Sequence, residues 1–166
     1  MMSGAGTPAV ELSRTLGSQA GKDKKIAIIA ASWHAEIVEA MVERSLATLT
    51  LLGVSQADTH RVPGSFEIPV MIANLIEKYD GFIALGLVLR GETAHFEYVC
   101  SGVTQGIVQL SLASKKPIAF GVLMCDTLEH AINRSGLPGS TEDKGLECAQ
   151  AVIATLLAID STKVSP

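Results

Sequence analysis

A chain of 166 residues that is 48% hydrophobic and 18% charged can bury one sizeable core, so one domain is expected rather than two. A formal net charge of −4, with no run of Lys or Arg along a face, excludes the electrostatic footprint of a nucleic-acid binder, and no apolar stretch is long enough to span a bilayer. Residues 1–20 lack the positive start and apolar stretch of an export signal, so the protein is expected to be soluble and cytoplasmic, with neither nucleic acid nor membrane as partner.

Two periodicities alternate along the chain. Residues 1–22, rich in Gly, Ser and Thr, are expected to be an N-terminal arm, with the folded domain spanning 23–162. "KKIAIIAAS" (24–32) is a continuous apolar run, the pattern of a strand covered on both faces. From Ala35 to Leu52, apolar residues recur at helical spacing, and Gly53 follows as a stop. "ADTHRVPG" (57–64) predicts a shorter, more polar strand. "FEIPVMIANLIEKYD" (66–80) returns to helix, with Pro69 confined to the first turn because deeper in it would remove a backbone bond. "GFIALGLVL" (81–89) is the most apolar strand, residues 93–114 are helical in spacing, and "KKPIAFGVLMC" (115–125) is a fourth strand. Thr127 can cap a short helix to Ser135, and residues 142–160 form a last helix. Strands alternating with helices imply a four-stranded parallel sheet in a three-layer α/β/α sandwich, flavodoxin-like.

Cys100, Cys125 and Cys148 are odd in number and far apart, which predicts reduced thiols and no disulfide framework. No Cys or His pair has the short spacing of a zinc half-site, so no metal is expected.

In doubly wound sheets ligands bind beyond the carboxyl ends of the strands. Four loops fall there: "SWHAE", "RVPGSFEIP", "RGETAHFEY" and "LMCDTLEHA". Trp33, the single tryptophan, fits either a ring-stacking platform or packing under a helix. Ser65 and Glu67 stand where helix capping alone could explain both. Gly91 permits a sharp turn, and Glu92 and Thr93 then open a helix whose free N–H groups favour an anion such as phosphate. His95, placed about a turn further on, is the candidate proton-transfer group, since imidazole titrates near neutrality at about pH 6.5. His34, His60 and His130 read as ordinary surface histidines. Arg134 and Lys144 flank a Gly/Pro loop and fit either phosphate ligands or solvated charges. The chain has no G-x-S-x-G elbow, no G-x-x-x-x-G-K-[ST] loop and no G-x-G-x-x-G after the first strand, which removes serine hydrolases, P-loop NTPases and dinucleotide dehydrogenases.

Taken in order and spacing, "VPGSFEIP", "ALGLVLRGETAHFEYVC", "PIAFGVL" and "DTLEHAINRSG" resemble the lumazine synthase family over residues 26–159. The resemblance implies condensation of 5-amino-6-ribitylamino-uracil with 3,4-dihydroxy-2-butanone 4-phosphate in riboflavin biosynthesis, with no metal or organic cofactor. It implies that Trp33 stacks on the pyrimidine, where Phe is the commoner residue. It places Ser65, Glu67 and the backbone of Phe66 and Ile68 on the pyrimidine and ribityl hydroxyls, with Leu87 and Leu89 offering backbone contacts. Gly91, Glu92 and Thr93 match the phosphate turn, His95 the proton-transfer residue, and Arg134 with Lys144 its cationic partners. The resemblance further implies a homopentamer in which Phe120, Arg134 and Lys144 come from the adjacent chain. The long loop "GLPGSTEDKG" favours a free pentamer over a sixty-subunit shell. A non-catalytic flavin or lumazine carrier, and a scaffold protein without small-molecule binding, are the alternative readings.

Overall fold

The computed structural model describes residue 12 and residues 15–163. Of the expected arm, residues 1–11, 13 and 14 lie outside the described residues. Its last part rests on the body: Leu16 and Ala20 pack against the core, and the Gly21 N–H donates to the Leu52 carbonyl at 2.7 Å.

Four strands, β1 (Lys25–Ala31), β2 (Gln56–Val62), β3 (Gly81–Leu89) and β4 (Ile118–Cys125), form one sheet in the order β2-β1-β3-β4. Every pairing is parallel. The helices are α1 (Ala35–Leu51), α2 (Ile68–Leu75), α3 (His95–Ser114), α4 (Leu128–Ile132) and α5 (Lys144–Lys163), with a 3₁₀ turn at Ser65–Glu67 ahead of α2. This is the three-layer flavodoxin-like sandwich that the alternating periodicities predict.

The period-2 geometry of the strands divides the core into two layers. Ile26, Ile28 and Ala30 of β1, with Ile83, Leu85 and Leu87 of β3, pack under α1 and α5 among Val38, Met41, Leu49 and Ile153. Ala27 and Ile29, with Phe82 and Ala84, face the other way against Ile68 and Ile72 of α2 and Val103 and Ile107 of α3. Both faces of β1 and β3 are therefore dry, which is why these strands read as unbroken apolar runs. Strand β2, at an edge, keeps polar side chains.

Boundaries differ from the sequence expectations where local chemistry intervenes. Helix α2 starts at Ile68 with Pro69 in its first turn, as required, but ends at Leu75, five residues short of the expected end. Helix α3 begins at His95 and not at Thr93, so His95 is its first residue and does not stand a turn inside it. Ala94 occupies the cap position and supplies no side-chain acceptor. Helix α4 is capped by Thr127, whose hydroxyl accepts from the His130 N–H at 3.2 Å, and stops at Ile132. Gly53, the expected stop, has φ 74, and a Cβ there would lie 2.5 Å from the Ser18 carbonyl oxygen.

Candidate active site

Chain order sends β1 to β2 on one side of the sheet and β3 to β4 on the other, so the connection reverses between β1 and β3. A crevice is expected at that reversal, beyond the carboxyl ends of the strands. A cleft of about 760 Å³ occupies it. Its walls include Trp33 and His34 after β1, the turn 64–67 after β2, and the end of β3 running into α3.

Each wall is shaped by close backbone approaches. A Cβ on Gly86 would lie 2.4 Å from the Ser65 Oγ, so the 3₁₀ turn sits directly on β3. A Cβ on Gly102 would lie 2.8 Å from the Phe66 ring, which lets that ring lie across α3. The Trp33 ring covers Gly64, with Cε3 3.5 Å from where a Cβ would stand. Trp33 itself is 68% exposed, so it is no core residue, and packing under a helix is ruled out. The backbone that carries it is bent by His34, a non-glycine residue with φ 57.

Of the residues singled out in the sequence, Trp33, Ser65, Phe66, Glu67, Leu87, Leu89, Gly91, Thr93 and His95 all line this cleft. Ile68 is fully buried in the core, so only its backbone could meet a ligand, as the resemblance has it. Glu92 is exposed and outside the lining. Glu67 is also a capping group: its Oε2 accepts from the Gly64 N–H at 2.9 Å. The Ser65 hydroxyl is buried and 3.5 Å from the Leu87 carbonyl oxygen. Phe96, Tyr98 and Gly102 line the cleft as well and were missed, because α3 presents them by helical geometry that a linear motif does not display.

Phe120, Arg134 and Lys144 are elsewhere. They line a separate hollow of about 270 Å³ along the far edge of β4, with Asp126, His130 and Cys125. Within one chain the structure therefore does not bring the two cations to His95. The Arg134 guanidinium donates to the His130 carbonyl at 2.9 Å and lies 3.9 Å from Glu142. Lys144 is held at 2.7 Å by both Glu142 and Glu147, carboxylates that the sequence reading overlooked although Glu147 stands at i+3. Their hydrogen bonds outweigh partial burial and hold the ammonium above its ordinary pKa, so it stays charged. Cys125 and Cys148 are buried and all three thiols are unbridged.

A doubly wound parallel α/β domain with an aromatic-walled cleft at its switch point has that cleft where such folds bind their small-molecule ligands. Comparison with known proteins narrows that class: the profile of the 6,7-dimethyl-8-ribityllumazine synthase family matches residues 23–159, and the chain belongs to this family. It is 44% identical to the 6,7-dimethyl-8-ribityllumazine synthase of Paenarthrobacter aurescens over 95% of its own length and 98% of that protein. Similarity to the enzyme of the same name from Streptomyces coelicolor is 45% identity over 96% of each chain. With that of Cutibacterium acnes it is 45% over 87% of each.

Proposed function

We propose that this chain is a cytoplasmic lumazine synthase, condensing 5-amino-6-ribitylamino-uracil with 3,4-dihydroxy-2-butanone 4-phosphate. The observation that carries the reading is the coincidence of family membership with one cleft that gathers Trp33, the turn 64–67, Gly91, Thr93 and His95. Trp33 is the stacking platform for the pyrimidine. Ser65, Glu67 and the backbone at Phe66, Ile68, Leu87 and Leu89 take the polar edge and the ribityl chain. Gly91, Glu92 and Thr93 hold phosphate at the start of α3, where the helix's positive end favours an anion. The unit 23–162 carries the chemistry.

The amine attacks the ketone to give a carbinolamine, and water leaves as the imine forms, a departure that His95 assists by protonating the hydroxyl. Removal of a carbon-bound proton then expels phosphate, whose charge Arg134 and the helix start stabilise. Ring closure and loss of a second water complete the bicycle. Holding two reactants in line supplies about 7–11 kcal/mol of such a barrier, so loss of His95 slows the reaction without abolishing it.

The site is shared between neighbours in a homopentamer, with Phe120, Arg134 and Lys144 completing the cleft of the adjacent chain. Support comes from the placement of these three in a hollow apart from His95, and from the exposed apolar side chains Val70, Tyr98, Val108 and Leu112 on α2 and α3. Turnover of the two substrates, followed by lumazine fluorescence, tests the activity, and saturable binding without turnover would leave only a carrier. Mixing His95→Ala chains with Arg134→Ala chains under subunit exchange should restore activity above either parent. No recovery in proven mixed oligomers would confine the site to one chain.

A further inference from the structure

Arg90 stands beside the cleft without lining it. It follows β3 directly, and its backbone N–H donates to the Cys125 carbonyl at 2.9 Å, extending the β3–β4 ladder by one bond. Its side chain forks. Nε donates to Asp126 Oδ1 at 2.5 Å in the loop after β4, and Nη1 donates to Glu97 Oε1 in the first turn of α3. The guanidinium carbon stands over the Phe96 ring, 4.2 Å from its centroid, within cation–π range.

Helix α3 begins at His95 without a side-chain cap from Ala94; the Thr93 hydroxyl accepts from the His95 N–H at a long 3.4 Å, and a first turn has no intrahelical partners for its own N–H groups. Such a turn frays unless something else holds it. Phe96 and Glu97, the two residues after His95, are the ones Arg90 grips. Its other arm anchors the grip to Asp126, the residue that directly follows β4. Exposed ion pairs contribute little to global stability, so what this fork supplies is placement.

We propose that Arg90 is a positioning residue that fixes the first turn of α3, and with it the His95 imidazole, against the end of the sheet. The proposal rests on the proton-transfer role given to His95 and deepens it. Lysine would serve poorly, because a single ammonium has no planar fork to bond two carboxylates while stacking on a ring.

Two measurements on the full-length protein test this. In Arg90→Gln, the Tyr98 amide, which donates to the Ala94 carbonyl at 3.3 Å, should lose hydrogen-exchange protection while Ile107 in the same helix keeps it. Turnover should fall on the order of tenfold with KM for both substrates little changed, Arg90→Lys recovering only part. In a His95→Ala background the same Arg90→Gln substitution should cost almost nothing, since the group being positioned is gone. Undiminished Tyr98 protection, or an equal loss of turnover in both backgrounds, overturns the proposal. Full turnover in His95→Ala alone would sink the role of His95, and the exchange result would still decide whether Arg90 orders the turn.

Discussion

His34 and Trp33 show how one residue's backbone sets another's use. A left-handed backbone costs a non-glycine residue about 1–2 kcal/mol, and His34 offers no capping bond in return. His34→Gly should therefore stabilise the protein by about 0.5–1 kcal/mol after the added entropy of the unfolded chain is set against it, read as a rise in denaturation midpoint at unchanged slope. The exposed Trp33 ring should be quenched saturably by riboflavin or a product analogue, and as the single tryptophan it reports without background. Unaltered emission on proven binding would remove the ring platform. Buried Cys148 is at the opposite extreme: desolvation pushes its thiol up to about 12, leaving almost no thiolate at neutral pH. Iodoacetamide at pH 7 should leave Cys148 unmodified in the native protein and alkylate it after unfolding, as mass spectrometry of the peptides would show.

Helix α5 lies on α1 with no side chain between them at one point. A Cβ at Gly145 would stand 2.3 Å from the Met41 carbonyl oxygen, and the Ser45 hydroxyl donates to the Gly145 carbonyl at 2.9 Å. Backbone does not yield as a side chain does, so Gly145→Ala should push the helices apart and destabilise by about 1–3 kcal/mol in urea unfolding. The start of α3 carries a pH dependence of definite sign. Hydrogen bonds from Arg90 hold the carboxyls of Asp126 and Glu97 below the ordinary carboxylate range. A depressed folded pKa means that the ordering they give is complete above the unfolded value, about 4, and is lost as pH falls through the lower folded values. The Tyr98 protection factor should stay flat from neutral pH down to about pH 4 and decline below it.

For the whole molecule, the homopentamer proposed from the family resemblance, which the two hollows and the exposed apolar side chains of α2 and α3 support, leads to one expectation. Light scattering should give the mass of five chains, and dilution that dissociates the assembly should abolish turnover along with it. Activity persisting in a proven monomer would contradict the shared site. At the same scale the layered core accounts for the sheet: side chains of β1 and β3 alternate between two helix layers, and neither layer closes without both.

Much of this was legible in residue order because it is local. Apolar runs marked β1 and β3, helical spacing marked α1, Pro69 located the first turn of α2, and Thr127 capped α4 as its type and position require. The loop motifs at Trp33, Ser65 and His95 were visible because each falls at a strand's end, and a parallel sheet brings such ends to one edge. Contacts distant in sequence were not visible. No linear pattern announces that Arg90 reaches Asp126 as well as Glu97, or that the Ser45 hydroxyl meets the Gly145 carbonyl. The order β2-β1-β3-β4 decided that His95 and Arg134 of one chain face different hollows, since β4 and α4 lie at the sheet's far edge. Residue type and spacing determined which chemistry the chain could hold, because capping, periodicity and charge act over a few residues. Which groups meet was decided only by the folded chain, because a side chain's neighbours are set by how the layers pack.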